Sequence, residues 1–413
     1  MVIKPFRGLR PCQELASRIP SPPYDVLDST EARAQAAGDP YTFLHVEKPE
    51  IDLDPTVDLY DDRVYATGRD NLRAMVEQGW LVQDEKPAYY VYRLVAGGHT
   101  QTGIAGVAAI DDHLTDKIKK HEHTRPDKEN DRTRHIDALS ANSGPILMAY
   151  RGVPELNAVV NGITERQPAV DFVAADGIAH ALWVVDDPTL CGQIQSLFAR
   201  IPSTYVADGH HRAAAAARVG RQRRDANPSH TGEEAYNSFL AVHFPAHQLE
   251  ILGYHRLVRD LNGLDPGAFL DRVTRADFEI RERHRNKRPP RKGTFGMYLA
   301  QEGWFLLLSG PEISPSTDPV GAFDVSVLSG HILEPILGIG DPRTDRRVDF
   351  VGGGKPIEEI ERRVNEGEAA VAFILHPPSV DDVMRVADAG RVMPPKSTWF
   401  EPKLRSGMVV HLL

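Results

Sequence analysis

Two short segments of this sequence concentrate the residue types that carry out acid–base and phosphate chemistry. The first, at 119–128, contains lysines, histidines, a glutamate, a threonine and an arginine within ten residues. The second, at 207–212, reads Ala-Asp-Gly-His-His-Arg. A carboxylate beside a lysine suits a general base next to an anionic reactant, and clustered cations suit a polyphosphate. Together the two segments indicate phosphoryl-transfer chemistry.

The second segment is predicted to lie where a strand meets a helix. The run 203–207 has the composition of a short buried strand, and the alanine-rich run 213–219 strongly favours a helix. A helix N-terminus attracts anions through its free N–H groups, and a glycine lets a phosphate approach the backbone. The alternative is that the acid only caps the helix and its neighbours are surface residues. The candidate site residues here are Asp208, Gly209, His210, His211 and Arg212.

The first segment has two faces if its backbone is extended. Alternation would place Lys120, Glu122 and Thr124 on one side of the chain and the histidines with Arg125 on the other. One face would then carry a general base, and the other a phosphate clamp. The alternative is a solvated polar loop. The candidate residues of this segment are Lys120, His121, Glu122, His123, Thr124 and Arg125.

A transition-metal site is a second interpretation of the same residues. Imidazole and carboxylate ligands suit zinc, iron or manganese, and the histidines of both segments could combine with Asp208. However, the His-Glu-x-x-His spacing is absent, and the neighbouring lysines and arginines favour phosphate over a cation. The phosphate interpretation therefore comes first.

The C-terminal segment 393–403 places a lysine and two hydroxyls side by side in a stretch stiffened by prolines. It could fold back over a bound phosphate, which makes Lys396, Ser397 and Thr398 further candidate phosphate-binding residues. The alternative is a packed terminal strand anchored by its aromatic residues. By contrast, the Gly-Gly-Gly-Lys run at 352–355 lacks the spacing of a phosphate-binding P-loop and is predicted to be a tight turn.

The elements that position these segments are those of an α/β protein. Hydrophobic spacing predicts a strand at 41–46, a hairpin at 88–110, a strand at 146–150 and helices at 61–78 and 129–139. Beyond residue 246 it predicts a helix at 265–275 and a hairpin at 294–308. We expect an α/β layer at 1–95, a mixed-sheet catalytic core at 96–245 and a C-terminal α+β region at 246–413, whose tail could return to the active site.

Composition limits the classes of partner. The formal charge of −10 argues against a protein that binds a nucleic-acid backbone, so no nucleic-acid partner is expected. Two distant cysteines indicate a reducing compartment, and no apolar run is long enough to span a membrane. We expect a cytoplasmic protein with small-molecule substrates and no membrane partner; assembly into a homodimer is left open.

Five segments together resemble a widespread bacterial family of unknown function, the domain of unknown function ten-fifteen. They lie at 5–11, 22–26, 120–124, 207–212 and 393–400, so the resemblance spans almost the whole chain. Part of that family resembles free L-serine kinases, whose fold is similar to the nucleotide-binding N-terminal domain of the chromosome-partitioning ParB proteins. Some of these kinases use pyrophosphate as donor, and related archaeal enzymes use ADP.

The resemblance implies a role for each candidate residue. Glu122 becomes the candidate base, and Arg212 and His211 become phosphate ligands. We expect transfer of a phosphoryl group from pyrophosphate, ADP or ATP to the hydroxyl of free L-serine, with Mg²⁺ bound at Asp208. The alternatives are a ParB-like nucleotide-binding regulatory protein and a histidine-liganded metallohydrolase.

Overall fold

The computed structural model describes residues 1–282, 287–311, 313, 318, 320–342 and 344–413. It forms two compact units, which we call the first unit (Met1–Leu249 with Pro402–Leu413) and the second unit (Glu250–Glu401). The last twelve residues of the chain thus belong with its first part. Within the described residues, no helix is long and apolar enough to cross a membrane.

The first unit is built around a mixed nine-stranded sheet. Its strands and those of the flanking small sheets are β1 Ile3–Lys4, β2 Leu9–Pro11, β3 Leu81–Gln83, β4 Tyr89–Ala96, β5 His99–Ala109, β6 Ile118–Lys119, β7 Ala141–Asn142, β8 Ile146–Tyr150, β9 Val170–Val173, β10 Ala179–Val185, β11 Thr204–Asp208 and β12 Ser238–Pro245. The large sheet has the order β6-β11-β8-β12-β5-β4-β10-β9, and β1 pairs with β5. The pairs β6–β11 and β8–β12 are parallel, whereas the other pairs of this sheet are antiparallel.

Helices cover this sheet and supply much of its core. They are α1 Ser29–Ala36, α2 Leu44–Glu47, α3 Asp62–Glu77, α4 Ile110–Leu114, α5 Pro126–Leu139, α6 Pro154–Thr164, α7 Pro188–Ala199 and α8 His210–Ala226, with 3₁₀ turns at Gln13–Leu15, Pro49–Asp52, Ala235–Asn237 and Ala246–Gln248. The alanines of α8 pack in one core with Met148 and Val206 of the sheet and Ile136 of α5. Small side chains let α8 lie close to the sheet, so its first residue stays directly beside the end of β11.

The second unit contains a six-stranded antiparallel sheet with the order β15-β17-β16-β19-β14-β18. The strands of this unit are β13 Glu250–Leu252, β14 Tyr254–Val258, β15 Phe278–Glu282, β16 Thr294–Leu299, β17 Gly303–Ser309, β18 Val348–Gly352, β19 Val371–Leu375 and β20 Trp399–Glu401. Its helices are α9 Pro266–Arg275, α10 Asp324–Leu328, α11 Ile357–Asn365 and α12 Val380–Asp388, and a π-helical turn, Ser329–Leu333, follows α10. Back in the first unit, β21 His411–Leu412 pairs with β7.

The predicted α/β class is confirmed, and so are the strand at 146–150 and the strand-to-helix junction near residue 208. The strand predicted at 41–46 is wrong, because Leu44–Glu47 forms the helix α2. A short run of apolar and β-branched residues does not distinguish a strand from a buried helical turn. Here Pro49 follows the helical turn, and Phe43, Leu44 and Val46 are all buried around it.

The structure divides the chain differently from the three predicted regions. The boundary predicted between residues 95 and 96 falls in the hairpin formed by β4 and β5, which pair along their length in the middle of one sheet. Residues 1–95 and 96–245 therefore share one unit, and the division after residue 249 is the one that separates two cores.

Candidate active site

The junction between β11 and α8 is shaped by its glycine. Gly209 is the N-cap of α8 and has a φ of 96°, a left-handed conformation that favours glycine. The register of β11 against β8 shifts between Val206 and Asp208. Such an irregularity re-aims the side chains that follow it. The chain therefore ends its strand with a carboxylate and turns at once into a 17-residue helix.

The segment at 119–125 lies directly beside this junction. β6 pairs in parallel with β11, matching Ile118 with Thr204 and Lys119 with Tyr205. The strand ends at Lys119, so the predicted alternation of two faces along an extended 119–125 is wrong. Instead the chain leaves the sheet edge and crosses the start of α8.

Two histidines of α8 join the segments. The backbone N–H of His121 donates to His210 Nε2 at 3.4 Å, and the backbone N–H of Arg125 donates to His211 Nε2 at 3.1 Å. The rings of His121 and His210 meet edge to face with centroids 4.4 Å apart. Burial, with smaller effects of the neighbouring histidines, holds the pKa of His210 well below its usual value. His210 is therefore neutral, and because its Nε2 accepts, its proton is on Nδ1.

Glu122 lies near His210. Its Oε2 lies 3.9 Å from His210 Nδ1, and its side chain is 34% exposed. The carboxylate is thus oriented towards the helix start yet remains open to a reactant. A general base needs access of this kind to the reacting hydroxyl.

Asp208 lies between two cations. Lys403 Nζ donates to its Oδ1 at 3.1 Å, and Arg212 Nη2 donates to its Oδ2 at 3.3 Å. Arg212 is held further by a bond from Nη1 to the carbonyl of Pro145. The side chains of Asp208, Lys403 and Arg212 are 23%, 14% and 9% exposed. A carboxylate, an ammonium group and a guanidinium therefore converge at the positive end of α8, where an anion is favoured.

A buried charged cluster supports Arg212 from behind. Arg212 lines a cavity of about 20 Å³ with Glu47 and Arg132. Arg132 Nη2 lies 2.8 Å from Asp131 Oδ2, and Arg132 Nη1 lies 3.9 Å from Glu47 Oε2. Among the residues that the structure describes, Glu47 Oε1 and Arg212 Nε have no hydrogen-bond partner. The cavity has room for about one water molecule, so it supports the site and does not admit a substrate.

Other predicted site residues lie further from this convergence. Lys120 Nζ donates to the carbonyl of His113 and lies 3.4 Å from Asp116, so its ammonium group is directed to the end of α4. Thr124 donates to Glu129 at the start of α5, and the Arg125 side chain pairs with Asp127. His123 is exposed.

The candidate residues Lys396, Ser397 and Thr398 belong to the second unit. Their closing over a phosphate stays a prediction.

Three residues of the site were missed by the sequence reasoning. Lys403 ends the C-terminal segment that was expected to fold back, but it was not named as a candidate; the return of the last twelve residues to the first unit brings it to Asp208. Arg132 could have been found from the sequence. It precedes Ile136 and Leu139 by four and seven residues, which places it on the apolar face of α5. Glu47 directly follows the buried Val46, the last residue of the run 41–46 that was mistaken for a strand.

Residues 3–326 match the model of a family described as "Protein of unknown function (DUF1015)". The chain belongs to this family. The match covers the whole junction between β11 and α8 and the segment at 119–125, so the resemblance predicted from the sequence is confirmed. None of the curated proteins matches the sequence.

Several solved structures resemble the chain at low identity. A conserved hypothetical protein from Pyrococcus furiosus is 15% identical with a TM-score of 0.34, over 71% of this chain and 89% of its own. A free serine kinase in complex with AMP is 14% identical with a TM-score of 0.35, over 73% of this chain and 91% of its own. A C-terminally truncated SbnI from Staphylococcus aureus is 13% identical with a TM-score of 0.38, over 73% of this chain and 85% of its own.

Proposed function

We propose that this DUF1015 protein transfers a phosphoryl group from a small phosphate donor to the hydroxyl of free L-serine, giving O-phosphoserine. The observation that carries the proposal is the convergence of two distant segments at one helix start. Glu122 faces His210 there, and Lys403 and Arg212 flank Asp208. Serine as acceptor, and pyrophosphate, ADP or ATP as donor, come from the resemblance of the sequence to free serine kinases.

The proposed roles follow from access and charge. Glu122 accepts the proton of the attacking hydroxyl, and the N–H groups at the start of α8 bind the transferring phosphate. Arg212, fixed by Pro145 and Asp208, offers the phosphate a cationic group that needs no reorganisation. Positioning and electrostatics supply most of the acceleration in phosphoryl transfer. His211 stays a candidate ligand, whereas His210 positions Glu122.

Magnesium would bind at Asp208 in exchange for a bond that this carboxylate accepts from Lys403 or Arg212. Proteins usually hold Mg²⁺ with one or two carboxylates together with substrate phosphates, and Asp208 is a partly exposed carboxylate at the phosphate-binding end of the helix. When bound, the ion would neutralise charge on the donor phosphates. In the part of the chain that the structure describes, no three histidine, cysteine, aspartate or glutamate side chains form a metal-binding group. No observation therefore favours the metallohydrolase alternative.

An acceptor panel tests the proposal. Purified protein with Mg²⁺ and each donor in turn is given L-serine, D-serine or L-threonine, and the phosphorylated amino acid is measured by mass spectrometry. We expect O-phosphoserine from L-serine with one donor at least, and its loss in Asp208→Asn, which keeps the shape of the side chain. Equal product from Asp208→Asn and the native protein would refute the assignment of the site.

A further inference from the structure

The second unit contains a cavity of its own. Its volume is about 120 Å³, against about 20 Å³ for the cavity behind Arg212 in the first unit. About 10–15 Å³ of such space holds one water molecule, so the cavity is large enough for a small organic molecule. Its apolar wall includes Phe323, Val325, Leu375 and Met393.

One polar group of the cavity is a buried cation without an acid. Arg256, in the middle of β14, is 2% exposed. It donates to the carbonyls of Tyr254 and Pro395, the latter at 3.2 Å, and its guanidinium lies 5.1 Å from the ring centroid of Phe350. No described carboxylate is within ion-pair distance of it, and burial lowers the pKa of Arg256 to about 9. A buried charge of this kind is costly unless a counter-charge reaches it.

Another polar group of the cavity is a buried acid that forms no ion pair with a described cation, although the charge of the nearby Lys292 acts on it. Asp324, at the start of α10, is 6% exposed. Its Oδ1 accepts from the backbone N–H of Gly293 at 2.9 Å, whereas its Oδ2 has no hydrogen-bond partner among the described residues. Lys292, which also lines the cavity, has its Nζ 5.6 Å from the ring centroid of Phe323. The cavity thus offers a guanidinium and a carboxyl group that are not paired with each other.

A simple anion would satisfy Arg256 and leave Asp324 unsatisfied, and a simple cation would do the reverse. A zwitterion satisfies both. We propose that this cavity binds a free α-amino acid with an apolar side chain, its carboxylate on Arg256 and its ammonium group on Asp324. The side chain then packs against the apolar wall.

The proposed site also includes residues of the C-terminal segment 393–403. Met393 and Ser397 line the cavity, and the bond from Arg256 to Pro395 fixes the segment between them. Ser397 donates its hydroxyl proton to the carbonyl of Pro394, which stabilises the turn. The site lies within the second unit, and its test does not depend on the proposed phosphoryl transfer.

Calorimetric titration of the full chain tests the proposal with L-leucine, L-valine and L-phenylalanine as probes. Two analogues of leucine serve as controls on the native protein: 4-methylpentanoate lacks the ammonium group, and 3-methylbutylamine lacks the carboxylate. We expect at least one amino acid to bind with one site per chain. Loss of either charged group should weaken binding about tenfold or more, the usual effect of removing a charged hydrogen bond.

Two variants locate the site. Arg256→Gln and Asp324→Asn should each weaken amino-acid binding about tenfold or more. Glu302→Gln, at an exposed turn of the same unit, should leave it unchanged. The proposal is overturned if none of the amino acids binds, if both analogues bind as tightly as leucine, or if Asp324→Asn binds like the native protein. The comparison of leucine with its two analogues uses the native protein, so it tests the proposal even if Arg256→Gln fails to fold.

Discussion

The two units both bury charged side chains, but they compensate them differently. In the first unit Arg132 pairs with Asp131 and lies near Glu47, and Arg212 pairs with Asp208. In the second unit the buried Arg256 donates to two backbone carbonyls and lies over the ring of Phe350, and no described carboxylate pairs with it. This difference in pairing indicates that buried charges have different roles in the two units. Paired groups support a reactive site at the partly exposed Asp208 and Glu122, whereas an unpaired group indicates a ligand that is itself charged.

The largest effect is expected at the reactive end of the first unit. Glu122→Gln keeps the size of the side chain and removes its capacity to accept a proton. We expect the rate of O-phosphoserine formation to fall about 10²- to 10⁴-fold, the usual contribution of a general base. Steady-state kinetics would measure it, with Glu155→Gln, an exposed acid paired with Arg200, as the matched control. Equal rates in the two variants would exclude Glu122 as the base.

Substituting each buried arginine tests how much a paired and an unpaired buried charge contribute to stability. Arg132→Met leaves Asp131 and Glu47 without their cation, so we expect a loss of about 3–5 kcal/mol in the free energy of unfolding. Arg256→Met removes a charge that has no acid partner among the described residues and replaces it by an apolar chain. The loss in the free energy of unfolding should be clearly smaller for Arg256→Met than for Arg132→Met. Urea unfolding of both variants measures the difference, and a larger loss for Arg256→Met would reverse the comparison.

The turn between β11 and α8 should tolerate no Cβ atom. Gly209→Ala forces a φ of 96° on a residue with a side chain, and an added Cβ would lie 3.1 Å from Arg212 Nε. We expect a loss of about 1–3 kcal/mol in the free energy of unfolding, together with reduced activity because Arg212 moves. Gly162→Ala serves as the control, since nothing lies within 4 Å of a Cβ there. Full activity of Gly209→Ala would show that the turn does not position the site.

Acid should destabilise the first unit at a higher pH than the second unit. Burial lowers the pKa of His121 to about 4, so between pH 6.5 and 4 the unfolded chain binds a proton that the folded one does not. The first unit therefore loses stability as the pH falls through this range. His113, His180 and His243, also buried there with pKa values lowered to about 4, act in the same direction.

In the second unit, burial raises the pKa of Asp324 from 3.8 to about 6. Its folded form binds the proton first, so this group adds stability as the pH falls from 6 towards 3.8. His255, with a pKa lowered to about 3 by burial, opposes it. Hydrogen exchange, corrected for the intrinsic effect of pH, should show protection lost in the first unit at a higher pH than in the second. Simultaneous loss in both units would contradict this assignment.

The sequence predicted the strand-to-helix junction of the site better than the full set of residues around it. A strand ending in Asp208-Gly209 before an alanine-rich helix is a local pattern, and local patterns can be recognised without a fold. Glu122 and His210 were both proposed, but their contact depends on the parallel pairing of β6 with β11. Lys403 was missed because it lies 195 residues from Asp208, its partner. The buried cavity around Arg256 gave no signal, since an arginine within a strand has the same local pattern whether or not an acid meets it.

Phosphorus NMR of the native protein with Mg²⁺ and L-serine tests the central claim most directly, with pyrophosphate, ADP and ATP offered in separate tubes. The account predicts an O-phosphoserine resonance in at least one tube, and its absence there when Asp208→Asn replaces the native protein. No such resonance with any of the three donors, or an undiminished one from Asp208→Asn, would contradict it.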